Sequence, residues 1–202
     1  MNNTNPFIYS DDNKRYHTLN YYNKSSFNSK VFKAVIDAGF TCPNKDGTKG
    51  TGGCIYCMGG SGYFTEKSDG EIYDSVKRQL AAEKERIYKK HPDSLITAYF
   101  QANTNTYAPV ATLKEAYTAA LDFGVHGISI GTRADCLPDD VIALLCDINS
   151  KTHLTVELGL QTIHDKSAQI INRCYTYDEF LEGYRKLQES GTVSYTHLTL
   201  PT

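Results

Sequence analysis

The sequence predicts an α/β fold built on a parallel sheet, and three observations carry that prediction. Short apolar segments alternate with amphipathic helical ones four times, the pattern of strands joined by helical crossovers. The apolar segments are nearly continuous in hydrophobic residues, as strands buried on both faces are. The chemically unusual residues fall in the loops after the strands: cysteines after the first, QANTNTYAP after the second, TRADCLPD after the third and QTIHD after the fourth. In parallel α/β sheets and barrels, ligands collect at that edge.

Each element follows from a local signal. Residues 1–30 are polar and tyrosine-rich with no clear period, and are expected to form a separate N-terminal segment before a core of residues 31–191. VFKAVID (31–37) reads as a strand that runs into the cysteine loop. GEIYDSVKRQLAAEKERIYKKH (70–91) places Ile72, Val76, Leu80 and Ile87 on one helical face, and Pro92 closes it. LITAYF (95–100) is a short strand, and TLKEAYTAALDFG (112–124) is a helix with Gly124 as its C-terminal stop. VHGISIG (125–131) is the third strand. PDDVIALLCDI (138–148) is a helix with Pro138 at its start, and HLTVELGL (153–160) is the fourth strand. A helix is expected over 164–172. Another, 177–190, follows a capping box that runs from Thr176 to Glu179, and Gly191 ends it.

Bulk properties bound the function. At 202 residues the chain is long enough for one domain with a substantial core. A net charge of −2 gives no electrostatic reason to bind nucleic acid. Lys77, Arg78, Lys84, Arg86, Lys89 and Lys90 are interrupted by Glu83 and Glu85, which reads as a solvated helix face. No stretch approaches a membrane span, and the first residues lack the apolar core of a signal peptide, so a cytoplasmic protein is expected. Six cysteines in a reducing compartment point to metal or redox work rather than to disulfides. Cys136, Cys146 and Cys174 stand apart from the cluster, and Cys146 reads as a small buried hydrophobe.

The stretch AGFTCPNKDGTKGTGGCIYC (38–57) raises the central question. It holds Cys42, Cys54 and Cys57, with Gly47, Gly50, Gly52 and Gly53 allowing a loop tight enough to bring the first thiol beside the other two. A structural zinc wants a fourth ligand, and the next histidine is His91, past a long helix. A cubane iron–sulfur cluster also normally takes four thiolates. With three, one iron keeps an open position for a ligand that is not protein.

The chain resembles the radical S-adenosylmethionine (radical SAM) superfamily. Its usual signature is three cysteines spaced by three and then two residues, with an aromatic before the last, here Tyr56. The wider first gap resembles the YhcC/YtqA-type branch, whose signature CPNRDGTKGxGGCxFC is similar to CPNKDGTKGTGGCIYC here, with Lys45 in place of arginine. RYHTLN (15–20), YFQANTNTYAP (99–109), GTRADCLPDDVIALL (131–145) and ELGLQTIHD (157–165) carry the resemblance along the chain. Departures are Asn103, Ala134 where proline is usual, and Cys174-Tyr175 where Gly-His is common.

The resemblance implies a (βα)6 radical SAM barrel, of which about four units are present here. It implies that Cys42, Cys54 and Cys57 hold a [4Fe–4S] cluster and that S-adenosylmethionine chelates the open iron. An electron through the cluster then cleaves the sulfonium to a 5′-deoxyadenosyl radical, which abstracts hydrogen from the substrate. No glycine-rich stretch follows the second strand, so Gln101, Asn103 and Asn105 are the candidate contacts to S-adenosylmethionine, together with Tyr56, Arg133, Glu157 and Gln161. The plain alternatives are a surface pair for Arg133 and Asp135, a carboxylate paired with a cation for Glu157, and loop bonding for Gln161. Implied partners are a flavodoxin- or ferredoxin-like electron donor and a substrate that is a tRNA nucleoside. Rival readings are a non-catalytic metal-binding scaffold and an RNA-binding module; S-adenosylmethionine binding tells the first apart, and a charge map the second.

VSYTHLTLPT (193–202) resembles the translation of a transposon-end adapter used in DNA library preparation, with a native strand as the rival reading. Residues 192–202 are accordingly expected to be a non-native tail, leaving the fourth strand as an unpaired edge.

Overall fold

A computed structural model describes residues 15–57, 69–191 and 194–197. Five strands, β1 (Val31–Ile36), β2 (Leu95–Phe100), β3 (Gly127–Thr132), β4 (His153–Gly159) and β5 (Ser194–His197), pair in chain order, every pair parallel. Helices α2 (Ile72–Tyr88), α3 (Val110–Phe123) and α4 (Asp139–Asn149) are the first three crossovers, and α5 (Asp165–Ile170) with α6 (Tyr177–Glu189) forms the fourth. The expected alternation of strand and helix is present.

The local signals act as read. Gly124 ends α3 in the left-handed region at φ 81°, where a side chain would be strained. Thr176 and Glu179 close the capping box on α6, the hydroxyl accepting from the Glu179 N–H at 3.2 Å and the carboxylate from the Thr176 N–H at 2.7 Å.

Three features differ from the sequence reading. A helix, α1 (Leu19–Phe27), lies where no period was evident. Its caps hold it: the Thr18 hydroxyl accepts from the Tyr21 N–H at 3.0 Å, and Asn28 terminates it at φ 50°. Phe27 then docks it edge-on against His126 and His153, at ring-centre separations of 4.4 and 5.1 Å. Residues 1–14 of the expected N-terminal segment lie outside the described residues.

The second difference concerns the strands, which are not apolar on both faces. Ala34, Ile36, Ile96, Ala98, Phe100, Ile128, Ile130, Leu154, Val156 and Leu158 are buried on one face, and α2, α3 and α4 pack over the same core. The opposite face carries Lys33, Thr97, Tyr99, Ser129, Thr155 and Glu157, since alternate residues of a strand point opposite ways. Helix α1 covers the amino-terminal end of this polar face, where Tyr22 and Phe27 share a cavity with Lys33, Thr97, Ser129 and Thr155. Each fully buried leucine of the apolar face and its helices, such as Leu80, Leu113 or Leu145, contributes about 1.5–3 kcal/mol.

Third, Ser194–His197 pairs along β4 from Val156 to Gly159, so part of the expected tail forms a strand and covers the edge that was expected to be open. Residues 192–193 and 198–202 lie outside the described residues.

One contact is unusually close. A Cβ on Gly183 of α6 would lie 1.9 Å from the Ala134 carbonyl oxygen, in the loop after β3. Only glycine lets α6 approach the carboxyl edge of the sheet so closely. Gly183→Ala is expected to destabilise the fold by about 1–3 kcal/mol, read as a lower urea midpoint; an unchanged midpoint would show that α6 does not bear on that loop.

Candidate functional site

The loop between β1 and α2 is folded tightly by its own backbone. The Cys42 carbonyl accepts from the Lys45 and Asp46 N–H groups at 2.8 and 3.1 Å, and the Pro43 carbonyl accepts from Lys49 and Gly50 at 2.8 and 3.2 Å. Asp46 and Thr51 form an antiparallel bridge around this turn. Gly50 has no room for a side chain: a Cβ would meet the Asn44 amide oxygen at 2.4 Å and the Cys174 sulfur at 2.9 Å. The chain then returns with Gly53 bonded to the Asn44 carbonyl at 2.8 Å, and the Cys57 N–H donates to the Cys54 carbonyl at 2.9 Å. All three cysteines are free thiols, Cys42 buried, Cys54 half-buried and Cys57 exposed.

These thiols line one cleft of about 440 Å³ at the carboxyl edge of the sheet. Its other walls include Tyr56, Gln101, Asn103, Arg133, Glu157 and Gln161, so every residue singled out from the sequence stands there except Asn105. Asn105 is fully buried away from the cleft wall. Its amide N–H and its backbone N–H both donate to the Gly131 carbonyl, at 2.9 and 3.3 Å, and its own carbonyl accepts from the Tyr117 hydroxyl. It joins the loop after β2 to the end of β3 from outside the cleft lining, and its amide oxygen has no hydrogen-bond partner among the described residues.

Asn103 is also a brace, although it faces the cleft. It receives Lys45 Nζ at 2.6 Å and donates to the Phe40 carbonyl at 2.8 Å, fastening the cysteine loop to the loop after β2. Gln161 differs. Its amide oxygen is buried and has no hydrogen-bond partner among the described residues. Its backbone is held at φ 64°, and the glycine at position 159 is what leaves room for its amide. Strained backbone of this kind marks ligand sites, and Asn103, Asn172 and Cys174 share the left-handed conformation nearby.

Two charged networks flank the cleft. Glu157 is buried, ion-paired with Lys33, and accepts from the Tyr99 hydroxyl at 2.9 Å; Lys33 also lies over the Tyr99 ring at 3.9 Å. The paired-carboxylate reading of Glu157 therefore holds, within the polar face of the sheet. Arg133 and Asp135 form a buried fork, with Nε and Nη2 at 2.9 and 2.8 Å from the carboxylate, rather than the surface pair considered from the sequence. Lys49 of the cysteine loop joins Asp135 at 2.7 Å and Glu179 of α6 at 3.2 Å.

Sequence reasoning missed Arg173 and Tyr175. Arg173 is almost fully buried and donates to the carbonyls of Leu160, Thr162 and Tyr175 at 2.6–3.0 Å. The Tyr175 ring faces both guanidinium groups, Arg133 at 4.6 Å and Arg173 at 4.3 Å. Only the irregular Cys174-Tyr175 departure, which contains Tyr175 and directly follows Arg173, signalled them. Burial pushes the Cys136 thiol up to about 12, and Cys136 does not line the cleft.

The donor set discriminates between metals. Among the described residues no three His, Cys, Asp or Glu side chains converge to hold one metal ion. The three thiols line one cleft. An all-thiol donor set suits a multi-iron cluster, in which each thiolate takes a different iron.

The Asp135 network has a pH signature. Burial alone would raise the carboxyl, but the Arg133 and Lys49 cations outweigh it and hold it below its ordinary 3.8. The stability it contributes is therefore complete above that value and lost as pH falls through the depressed one. In urea titrations from about pH 6 down to about pH 2, Asp135→Asn is expected to lower the midpoint at the upper end and flatten the acid fall. A parallel acid fall in variant and wild type would contradict this.

The chain is similar to several known proteins. The profile described as Radical SAM superfamily matches residues 46–202. The chain is 46% identical over 200 residues to the uncharacterized protein YtqA of Bacillus subtilis (strain 168), covering 98% of this chain and 61% of YtqA. It is 35% identical over 174 residues to protein YhcC of Escherichia coli (strain K12), covering 85% of this chain and 54% of YhcC. The chain thus spans less than two thirds of these curated relatives. Among solved structures, histidine-tagged anSMEcpe with bound AdoMet superposes with a TM-score of 0.51 at 14% identity, over 83% of this chain and 42% of that one, a likeness of fold. Proteins of the matched superfamily use a [4Fe–4S] cluster and S-adenosylmethionine. With the profile spanning most of the chain and the parallel α/β fold in agreement, the chain belongs to the radical SAM superfamily, in the branch of YtqA and YhcC.

Proposed function

We propose that this chain is the catalytic core of a radical SAM enzyme, with Cys42, Cys54 and Cys57 as the ligands of a [4Fe–4S] cluster. The observation that carries the reading is the single cleft: three free thiols and a ring of polar side chains meet at the carboxyl edge of a parallel sheet. When bound, cluster and S-adenosylmethionine supply reductive cleavage of a sulfonium and removal of a hydrogen atom from the substrate.

The protein's own part is to hold and orient. Cys42 is anchored from behind by the turn on its carbonyl, while Cys57 reaches the open side of the cleft. Gln161 offers its unpartnered amide oxygen to an N–H of the ligand, an exchange that relieves a buried unsatisfied acceptor. Arg133, fixed by Asp135, and Glu157, fixed by Lys33 and Tyr99, present charges that cost no reorganisation when a zwitterionic ligand enters.

A one-electron donor of the flavodoxin or ferredoxin type is the proposed partner. A tRNA nucleoside is the proposed substrate, resting on the branch resemblance. An RNA-binding face on α2 finds no support, because Arg86 pairs with Glu83 at 2.7 Å and Lys89 with Glu85 at 3.0 Å. No described helix is long and apolar enough to cross a membrane.

The test is the electron paramagnetic resonance spectrum of the anaerobically reconstituted, reduced protein. A cluster signal that shifts on adding S-adenosylmethionine and is lost in Cys57→Ala is expected. A signal indifferent to S-adenosylmethionine would leave the metal-binding scaffold, and no cluster at all would refute the ligand set.

A further inference from the structure

We propose that Asn44 raises the reduction potential of the cluster by donating an amide N–H to the Cys54 sulfur, an inference that rests on the ligand set above. Asn44 is wholly buried inside the cysteine loop, two residues after Cys42. Its Nδ2 lies 3.5 Å from Cys54 Sγ, and its other N–H donates to the Asn172 carbonyl. Both amide protons are therefore used. The Asn172 carbonyl also fixes which way the amide faces, because a flip would set oxygen against oxygen.

The other end of the side chain is left without reward. Asn44 Oδ1 has no hydrogen-bond partner among the described residues, and position 50 must be glycine to clear it. A buried amide kept with its acceptor unsatisfied is accounted for by its donors. The loop is separately strapped: Asn172, held at φ 54°, sends its own Nδ2 to the Gly53 carbonyl at 2.8 Å and to Thr51 at 3.4 Å. Asn172 thus straps the loop without touching the Cys54 sulfur, whereas Asn44 both ties the loop to the Asn172 carbonyl and donates to that sulfur.

The physical effect follows from charge. Reducing the cluster adds one negative charge, part of which resides on the cysteine sulfurs. An N–H aimed at one of them stabilises the reduced form more than the oxidised form, and more strongly in a buried setting than in water. Asn44 ligates nothing; it acts through Cys54.

A potentiometric titration of the reconstituted protein, poised with dithionite and mediators and read by the reduced-cluster resonance, separates the two roles. At the wild-type midpoint, Asn44→Ala is expected to lower the reduced-to-oxidised ratio about three- to tenfold. Asn172→Gly keeps the left-handed backbone and the carbonyl that holds Asn44, and is expected to leave the ratio unchanged while weakening iron retention. An unchanged ratio in Asn44→Ala overturns the proposal, as does an equal fall in Asn172→Gly. Where Asn44→Ala takes up no iron, Asn44→Ser is titrated in its place; loss of the cluster in both makes Asn44 a loop brace and overturns it. A cluster indifferent to S-adenosylmethionine that still shows the Asn44 shift sustains this inference while refuting the enzymatic reading, and a wild type without a cluster refutes both.

Discussion

The two-residue period of the strands is the constraint on which everything else rests. One face of the sheet is closed by α2, α3 and α4 over an apolar core that includes Ile36, Phe100, Ile130 and Leu158. The other face carries Lys33, Tyr99, Ser129 and Glu157. Because all strands run the same way, the polar face opens at its carboxyl end onto every loop that bears unusual chemistry. A cleft lined by thiols and polar side chains is the direct consequence.

The loops at that edge are braced by each other and by α3 and α6. Lys45 meets Asn103, Lys49 meets Asp135 and Glu179, and Asn172 reaches across to the Gly53 carbonyl. Arg173 collects three carbonyls of the same edge, and the Tyr175 ring lies against it and Arg133. Several residues there hold left-handed backbone that costs energy in isolation. The surrounding bonds offset that strain, and they leave the cleft preorganised.

Much of this was legible in the residues. LITAYF matches β2 residue for residue, and the Thr176–Glu179 box starts α6, because both signals are local. The three cysteines were identifiable because glycine spacing and ligand count are sequence properties. Helix α1 was hidden because caps and the docking of Phe27 on two histidines stabilise it, not a long apolar stripe. The polar face was hidden by hydroxyl and tyrosine residues that blend into apolar runs; Thr97, Tyr99 and Ser129 carry the alternation once the register is known. Asn105 and Arg173 act only through distant carbonyls, so no spacing announces them.

The central claim is that the three thiolates leave one iron open to S-adenosylmethionine. Mössbauer spectroscopy of the reconstituted protein tests it most directly, since it resolves the irons of a cluster individually. The account predicts one iron whose parameters change on adding S-adenosylmethionine while the thiolate-bound irons keep theirs. A spectrum unaltered by S-adenosylmethionine, with all irons alike, would contradict it.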